Sequence, residues 1–126
     1  MTQQRLSTGR RAEQLVADRL EAGGWRIVAR NARSRHGELD IVALDGGTLV
    51  FVEVKAGRAD SRFGPERPVH SVHARKQQRI RRLATAWIAE RRGGIPRYER
   101  IRFDAVGVTF ERSGRLVDVE HLEAAF

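Results

Sequence analysis

The chain has 126 residues, a length that suits one domain with a single modest hydrophobic core. Hydrophobic residues make up 40% and charged residues 32% of it, which excludes a disordered tail and an integral membrane protein. The chain has no cysteine, so disulfide scaffolds, thiolate zinc sites and cysteine nucleophiles are excluded. No apolar stretch resembles a membrane span or a signal-peptide core, so we expect a cytoplasmic protein without a membrane partner.

Basic residues outnumber acidic ones by 24 to 16, which gives a formal net charge of +8. Segment 75–102 alone carries ten basic and two acidic residues, so it accounts for the whole excess. Such local charge is typical of a surface that contacts a polyanion, and it favours nucleic acid as the partner. The alternative is a solvated, arginine-rich helix face, because arginine supplies 22 of the 24 basic residues along the chain.

Hydrophobic periodicity and turn residues predict seven elements. In chain order they are a helix over 8–21, strands over 25–29, 38–44 and 49–55, a helix over 73–92, and strands over 101–110 and 116–119. Segments 30–37 and 56–70 are polar and are predicted to be loops. This order suggests an α/β or α+β sandwich with one mixed sheet flanked by helices.

The second and third strands are predicted to form a hairpin that turns at the glycine pair 46–47. In that register Asp40 falls opposite Glu53, and Glu38 falls opposite Lys55. Side chains alternate along a strand, so these four project from one face. The residues predicted for the other face are all apolar, namely Leu39, Ile41, Ala43, Val50, Val52 and Val54.

Three carboxylates and a lysine on one sheet face indicate a metal-dependent hydrolytic site. Asp40 and Glu53 have about the spacing at which a divalent ion can bridge them, and Mg²⁺ prefers oxygen ligands. Lys55 could position or deprotonate a water, or neutralise charge on phosphorus. The alternative is a solvated network in which Lys55 pairs with Glu38 and Glu53. Lysine occurs only twice, which argues against that alternative, because arginine would serve a plain ion pair.

Asp40, twelve further residues and the sequence 53–55 (EVK) resemble the core of the PD-(D/E)xK nucleases, with Leu39 where that pattern has proline. More closely, the chain resembles the YraN-like family of small bacterial proteins, which are related to Holliday-junction-resolvase-type nucleases. Ala12 stands where that family usually has glycine. The matching stretches span nearly the whole chain and are 9–13 (GRRAE), 30–31 (RN), 37–40 (GELD), 51–55 (FVEVK), 63–64 (FG), Lys76 and 102–104 (RFD).

The resemblance implies a single α/β domain with a restriction-endonuclease-like fold, a mixed sheet flanked by helices. It implies Mg²⁺ or Mn²⁺ held by Asp40, Glu53 and the main-chain carbonyl of Val54, with Glu13 approaching from the first helix. It also implies that Lys55 is the catalytic lysine. A homodimer is a further expectation from this kinship.

The leading hypothesis is therefore a metal-dependent DNA endonuclease that cleaves phosphodiester bonds, with branched or structured DNA as a substrate by analogy. The basic residues expected to contact nucleic acid are Arg10, Arg75, Lys76, Arg79 and Arg82. One alternative is a nucleic-acid-binding module of the same fold without turnover, and another is a protein-interaction adaptor. The four histidines complete no zinc-ligand pattern, although His36 could contact a phosphate or a leaving group.

Overall fold

A computed structural model describes residues 2–59 and 72–126, with the side chains of the first helix described from Thr8 onward. The predicted order of elements is confirmed. The elements are α1 (Thr2–Ala22), β1 (Arg26–Ser34), β2 (Gly37–Asp45), β3 (Thr48–Arg58), α2 (Ala74–Glu90), β4 (Arg100–Phe110) and β5 (Leu116–Leu122). They build one sheet in the order β1-β2-β3-β4-β5, in which only β3 and β4 pair in parallel, so the expected mixed sheet is confirmed.

The two helices cover opposite faces of the sheet. Helix α1 buries Ala12, Val16, Ala17 and Leu20 against one face, and α2 buries Ile80, Leu83, Ala84 and Trp87 against the other. Because both faces are covered, β2 and β3 are nearly continuous apolar runs in sequence. Within the described ranges, neither helix has the combined length and apolar character that crossing a bilayer requires.

Three strands, β1, β3 and β5, extend beyond their predicted ends, and β5 runs to Leu122 rather than to residue 119. Residues 30–34, predicted as a loop, continue β1 and pair with β2 from Arg30–Ile41 to Ser34–Gly37. Polar residues suit this exposed edge strand, which is why hydrophobic periodicity does not detect it. Strand β3 continues to Arg58 because its parallel pairing with β4 continues there. The rest of that predicted loop, from residue 60 onward and including the stretch 63–64, lies outside the described residues.

The predicted hairpin register is confirmed over five pairs, from Asp45–Thr48 to Ile41–Val52. The ladder ends there, one pair before the predicted pairing of Asp40 with Glu53. Beyond this point β2 pairs with β1 and β3 pairs with β4, so the two strands of the hairpin separate.

The predicted division of the hairpin into two faces is wrong at Leu39. Its side chain packs in the α2 cluster, whereas Ile41 packs in the α1 cluster, so alternation breaks across Asp40. The acidic face is also not polar throughout, because Val42 and Phe51 lie in the α2 cluster. The acidic residues therefore lie where the two faces meet, because Glu13 of α1 reaches Glu38 and Asp40 whereas Lys76 of α2 reaches Glu53.

Candidate metal centre

The candidate site lies where β2 and β3 separate. Asp40, at the end of the hairpin ladder, accepts a hydrogen bond at Oδ2 from the backbone N–H of Val54, with a donor–acceptor distance of 2.9 Å. This N–H would otherwise face the opening between the strands, and a buried backbone donor needs an acceptor. Asp40 therefore completes the backbone bonding of β3 and presents its carboxyl group at the opening.

The Asp40 and Glu53 carboxyl groups are in hydrogen-bonding contact. Glu53 is only 7% exposed. Burial, followed by the charge of Glu53, raises the pKa of Asp40 from its ordinary 3.8 to about 8. A buried carboxyl group in contact with a half-buried one favours a shared proton or a cation, so this pair is a natural place for a positive charge.

A second group of carboxylates adjoins this pair. One oxygen each from Glu13, Glu38 and Asp40 lie within 4.8 Å of one another, so α1 does bring Glu13 to the strand carboxylates. Burial, followed by the charge of Glu38, raises the pKa of Glu13. Arg33 Nε lies 3.3 Å from Glu38 Oε2, and the Glu38 side chain is 35% exposed.

Asn31 of β1, which sequence reasoning missed, links two of these carboxylates. With its amide nitrogen turned toward them, it donates to Glu13 Oε2 at 2.8 Å and to Glu38 Oε1 at 2.7 Å. This orientation is the one that satisfies the hydrogen bonds. Asn31 has φ of 49°, a left-handed conformation that asparagine tolerates better than most residues. The only sequence indication was its place in the stretch 30–31 that resembles the family.

Both lysines of the chain lie at Glu53. Lys76 Nζ, from the first turn of α2, is 2.8 Å from Glu53 Oε1, and Lys55 Nζ is 3.9 Å from the same oxygen. Burial, followed by the neighbouring Lys76, lowers the pKa of Lys55. Burial acts to lower the pKa of Lys76, but its hydrogen bond to Glu53, its contact with Lys55 and the charges of Glu53 and Asp40 together outweigh burial and raise it. Lys76, expected as a nucleic-acid contact, thus lies within the acidic site.

The donor set fits a hard divalent cation. Glu13, Glu38, Asp40 and Glu53 supply only carboxylate oxygens, the ligands that Mg²⁺ and Mn²⁺ prefer. Burial is the largest cause of the raised pKa values of Asp40 and Glu13, and neighbouring carboxylates add to it, so a bound cation would favour the ionised form of both. Val54 lies at the site through its N–H, and a ligand role for its carbonyl stays a prediction.

The arginines expected to bind nucleic acid lie on the two helices that supply Lys76 and Glu13 to the site. Arg75, Arg79 and Arg82 are exposed on α2, the helix that brings Lys76 to Glu53. Arg10, exposed on α1, lies one turn before Glu13 and acts electrostatically on its carboxyl group.

The interpretation that the whole excess charge of segment 75–102 faces a partner needs correction at Arg102. This side chain is 20% exposed, and its guanidinium donates to both oxygens of buried Asp104, at 2.8 and 3.0 Å. Charge counted along a sequence includes such internal ion pairs, and only the fold separates them from surface charge.

A mixed five-stranded sheet between two helices, with carboxylates gathered where the central strands separate, defines a small α/β domain with a restriction-endonuclease-like fold. Residues 12–108 match the family described as Uncharacterised protein family UPF0102, and the chain belongs to that family. The family membership indicated by the sequence is thereby confirmed.

Relatives from diverse bacteria are similar to most of the chain. A UPF0102 protein of Nocardia farcinica is 45% identical over 118 residues, which cover 94% of this chain and 87% of the relative. One from Parafrankia is 49% identical over 120 residues, with 94% of each chain covered. One from Symbiobacterium thermophilum is 48% identical over 108 residues, with 86% of each covered. The family match over residues 12–108 spans Glu13, Glu38, Asp40, Glu53 and both lysines of the candidate site.

Proposed function

We propose that this protein is a metal-dependent DNA endonuclease that hydrolyses phosphodiester bonds. The observation that carries the proposal is the contact between the carboxyl groups of Asp40 and buried Glu53, with the ammonium groups of Lys55 and Lys76 beside it. A solvated ion-pair network would not bury Glu53 to 7% exposure or hold two carboxyl groups in contact. A pure binding module would gain nothing from an acidic cluster that repels phosphate.

Asp40 and Glu53 would hold Mg²⁺ or Mn²⁺, with Glu13 and the carbonyl of Val54 as further ligands. When bound, the ion supplies Lewis-acid stabilisation of the phosphate and a more acidic water. Asn31 fixes the orientation of Glu13 by donating to its carboxylate.

Lys55 is suited to proton transfer or to charge stabilisation. Its pKa is lowered by burial and by Lys76, so its ammonium group gives up a proton more readily than an exposed lysine does. While protonated, it donates hydrogen bonds to a phosphate oxygen that gains negative charge during attack.

DNA is the substrate that the surrounding charge favours. The exposed arginines 75, 79 and 82 on α2 and Arg10 on α1 flank the acidic site and would contact phosphates on either side of the bond that is cut. Such contacts position the duplex without reading its sequence. Branched DNA and a dimeric state are proposed by analogy with the resolvase-type nucleases, and action in the cytoplasm is proposed from the pattern of apolar segments.

The proposal is tested by incubating the protein with linear duplex, single-stranded and four-way DNA, with Mg²⁺, with Mn²⁺ or with a chelator. We expect strand cleavage that requires the added ion and stops with the chelator. Tight, salt-sensitive binding without cleavage under any of these conditions would support the binding module instead. Absence of both binding and cleavage would support the protein-interaction adaptor.

Replacing Arg75 and Arg79 by glutamine is expected to weaken DNA binding and its dependence on salt. Each lost phosphate contact lowers the slope of log K against log salt concentration by about 1. The measurement is binding to one duplex at several salt concentrations.

A matched control for this pair is Arg26→Gln with Arg100→Gln. Both arginines are exposed. In the strand register Arg26 lies opposite Leu44 and Arg100 lies opposite Thr48, at the hairpin-turn end of the sheet away from Asp40. The control should leave the slope unchanged. Equal slopes for both double variants and the unmodified protein would show that α2 is not the docking surface.

A further inference from the structure

The two lysines of this arginine-rich chain converge on one carboxylate. The sequence has 22 arginines and two lysines, and both lysine Nζ atoms lie within 4 Å of Glu53 Oε1. Lys55 is two residues from Glu53 on the same strand, whereas Lys76 reaches it from a different element, α2. The closer of the two contacts, 2.8 Å, is the one made by Lys76.

This contact gives Lys76 a definite role in the protein without a bound ion. The Glu53 side chain is 9% exposed and touches the carboxyl group of Asp40, so its charge needs a counter-ion. Lys76 supplies that counter-ion from a side chain that is itself 22% exposed. A divalent cation bound by Glu53 and Asp40 would neutralise the same carboxylate and would repel the nearby ammonium group.

The residue type fits a contact that can be given up. A lysine ammonium is a compact charge on a flexible stem, and Lys76 reaches the Glu53 carboxylate at Oε1, whereas an arginine guanidinium can bind a carboxylate with two parallel hydrogen bonds. Arg102 and Asp104 show that this chain does use the bidentate arginine pair, at a place where the carboxylate is fully buried. Lys76 at Glu53 therefore differs from the arginine–carboxylate pair that this chain uses at Asp104.

We propose, on the basis of the proposed function, that Lys76 is an internal counter-ion which a divalent cation displaces from Glu53, freeing the ammonium group to contact a DNA phosphate. The exposed arginines 75 and 79 lie next to Lys76 on α2, so the freed charge joins a surface that is already basic. Loading of the ion and recruitment of DNA are thereby linked through one side chain.

The first test is the affinity for Mg²⁺, measured by calorimetry without DNA. Lys76→Gln removes the competing charge and is expected to tighten Mg²⁺ binding about tenfold, while Lys76→Arg, with its firmer grip on Glu53, is expected to weaken it. Arg75→Gln is the matched control, because it removes a charge from the same helical turn that is not paired with Glu53. It should change the affinity by less than about threefold.

The second test uses the unmodified protein and its two lysines. Trace acetylation followed by peptide mass spectrometry reports the reactivity of each amine, and we expect saturating Mg²⁺ to increase labelling of Lys76 several-fold. The proposal is overturned if Mg²⁺ binds but leaves Lys76 as protected as before, or if Lys76→Gln binds Mg²⁺ no more tightly than the unmodified protein. If neither the unmodified protein nor the variants bind Mg²⁺, the metal site of the proposed function fails and the displacement fails with it.

Discussion

Replacing Asp40 by asparagine or Lys55 by alanine is expected to lower the rate of ion-dependent DNA cleavage at least about 10³-fold. Asparagine keeps an oxygen that can accept from the Val54 N–H, so the strands stay joined while the negative charge is lost. Alanine removes the ammonium group that stands beside Glu53. The measurement is the single-turnover cleavage rate at saturating Mg²⁺ or Mn²⁺.

Asp118→Asn is the matched control for the carboxylate change, because Asp118 is exposed on β5, the edge strand farthest from β2. It should cleave at the rate of the unmodified protein. Cleavage by Asp40→Asn at more than a tenth of that rate would contradict the assignment of Asp40 as an ion ligand.

Asp40→Asn is also expected to stabilise the folded protein at alkaline pH when no ion is bound. Because the pKa of Asp40 is about 8 in the folded state and 3.8 ordinarily, the folded protein keeps a proton between those values that the unfolded chain has lost. The stability that this proton contributes is complete below about pH 4 and is lost as the pH rises through 8. The amide introduced by Asp40→Asn does not titrate, so the free energy of unfolding of the variant should decline less over this pH range. Chemical denaturation in the presence of a chelator measures it.

Replacing Asp104 by alanine is expected to cost about 3–5 kcal/mol of folding stability, the cost of breaking a buried ion pair. Asp104 is fully buried, and its carboxylate lies 2.8 Å from His121 Nε2 and accepts the backbone N–H of Ala124 at 3.0 Å, besides the paired bonds from Arg102. Alanine would take this acceptor from His121 and Ala124 and would leave Arg102 its longer contacts with Asp45 and Glu123, at 3.5 and 3.8 Å. Urea unfolding at neutral pH measures the loss.

Acid should reproduce part of this loss in the unmodified protein. Burial acts to raise the pKa of Asp104, but hydrogen bonds from His121 and Arg102 outweigh it and lower the pKa below 3.8. The stabilisation is therefore complete above about pH 4 and is lost as the pH falls through the lowered value. As a control for Asp104→Ala, Asp118→Ala should change the free energy of unfolding very little. Equal urea midpoints for Asp118→Ala and Asp104→Ala would contradict the role of Asp104.

Sequence reasoning succeeded where local chemistry decides the structure. The glycine pair 46–47 fixes the turn, the turn fixes the register, and the five pairs up to Ile41–Val52 follow. The order of elements and the mixed sheet follow from the alternation of apolar segments with polar turns. The second half of β1 was not predicted because its residues from Arg30 to Ser34 are polar except for Ala32 and gain their strand conformation from pairing with β2.

The site was predicted only in part, because it depends on contacts between distant elements. Extrapolating the ladder placed Asp40 in a pair with Glu53, whereas the strands have separated by then and Asp40 bonds the Val54 N–H instead. The place of Lys76 at Glu53 depends on how α2 lies against the sheet, which no spacing reveals. Asn31 was missed for the same reason.

The bond from the Val54 N–H to Asp40 bears on how relatives of this protein should be judged. A descendant that had given up catalysis would still need an oxygen at this position to close the gap between its strands, so an aspartate retained there is poor proof of turnover. Under the proposed function, Lys55, which lies beside Glu53 and Lys76, would serve the chemistry more directly. Replacement of Lys55 in a relative would therefore indicate loss of catalysis more clearly than replacement of Asp40.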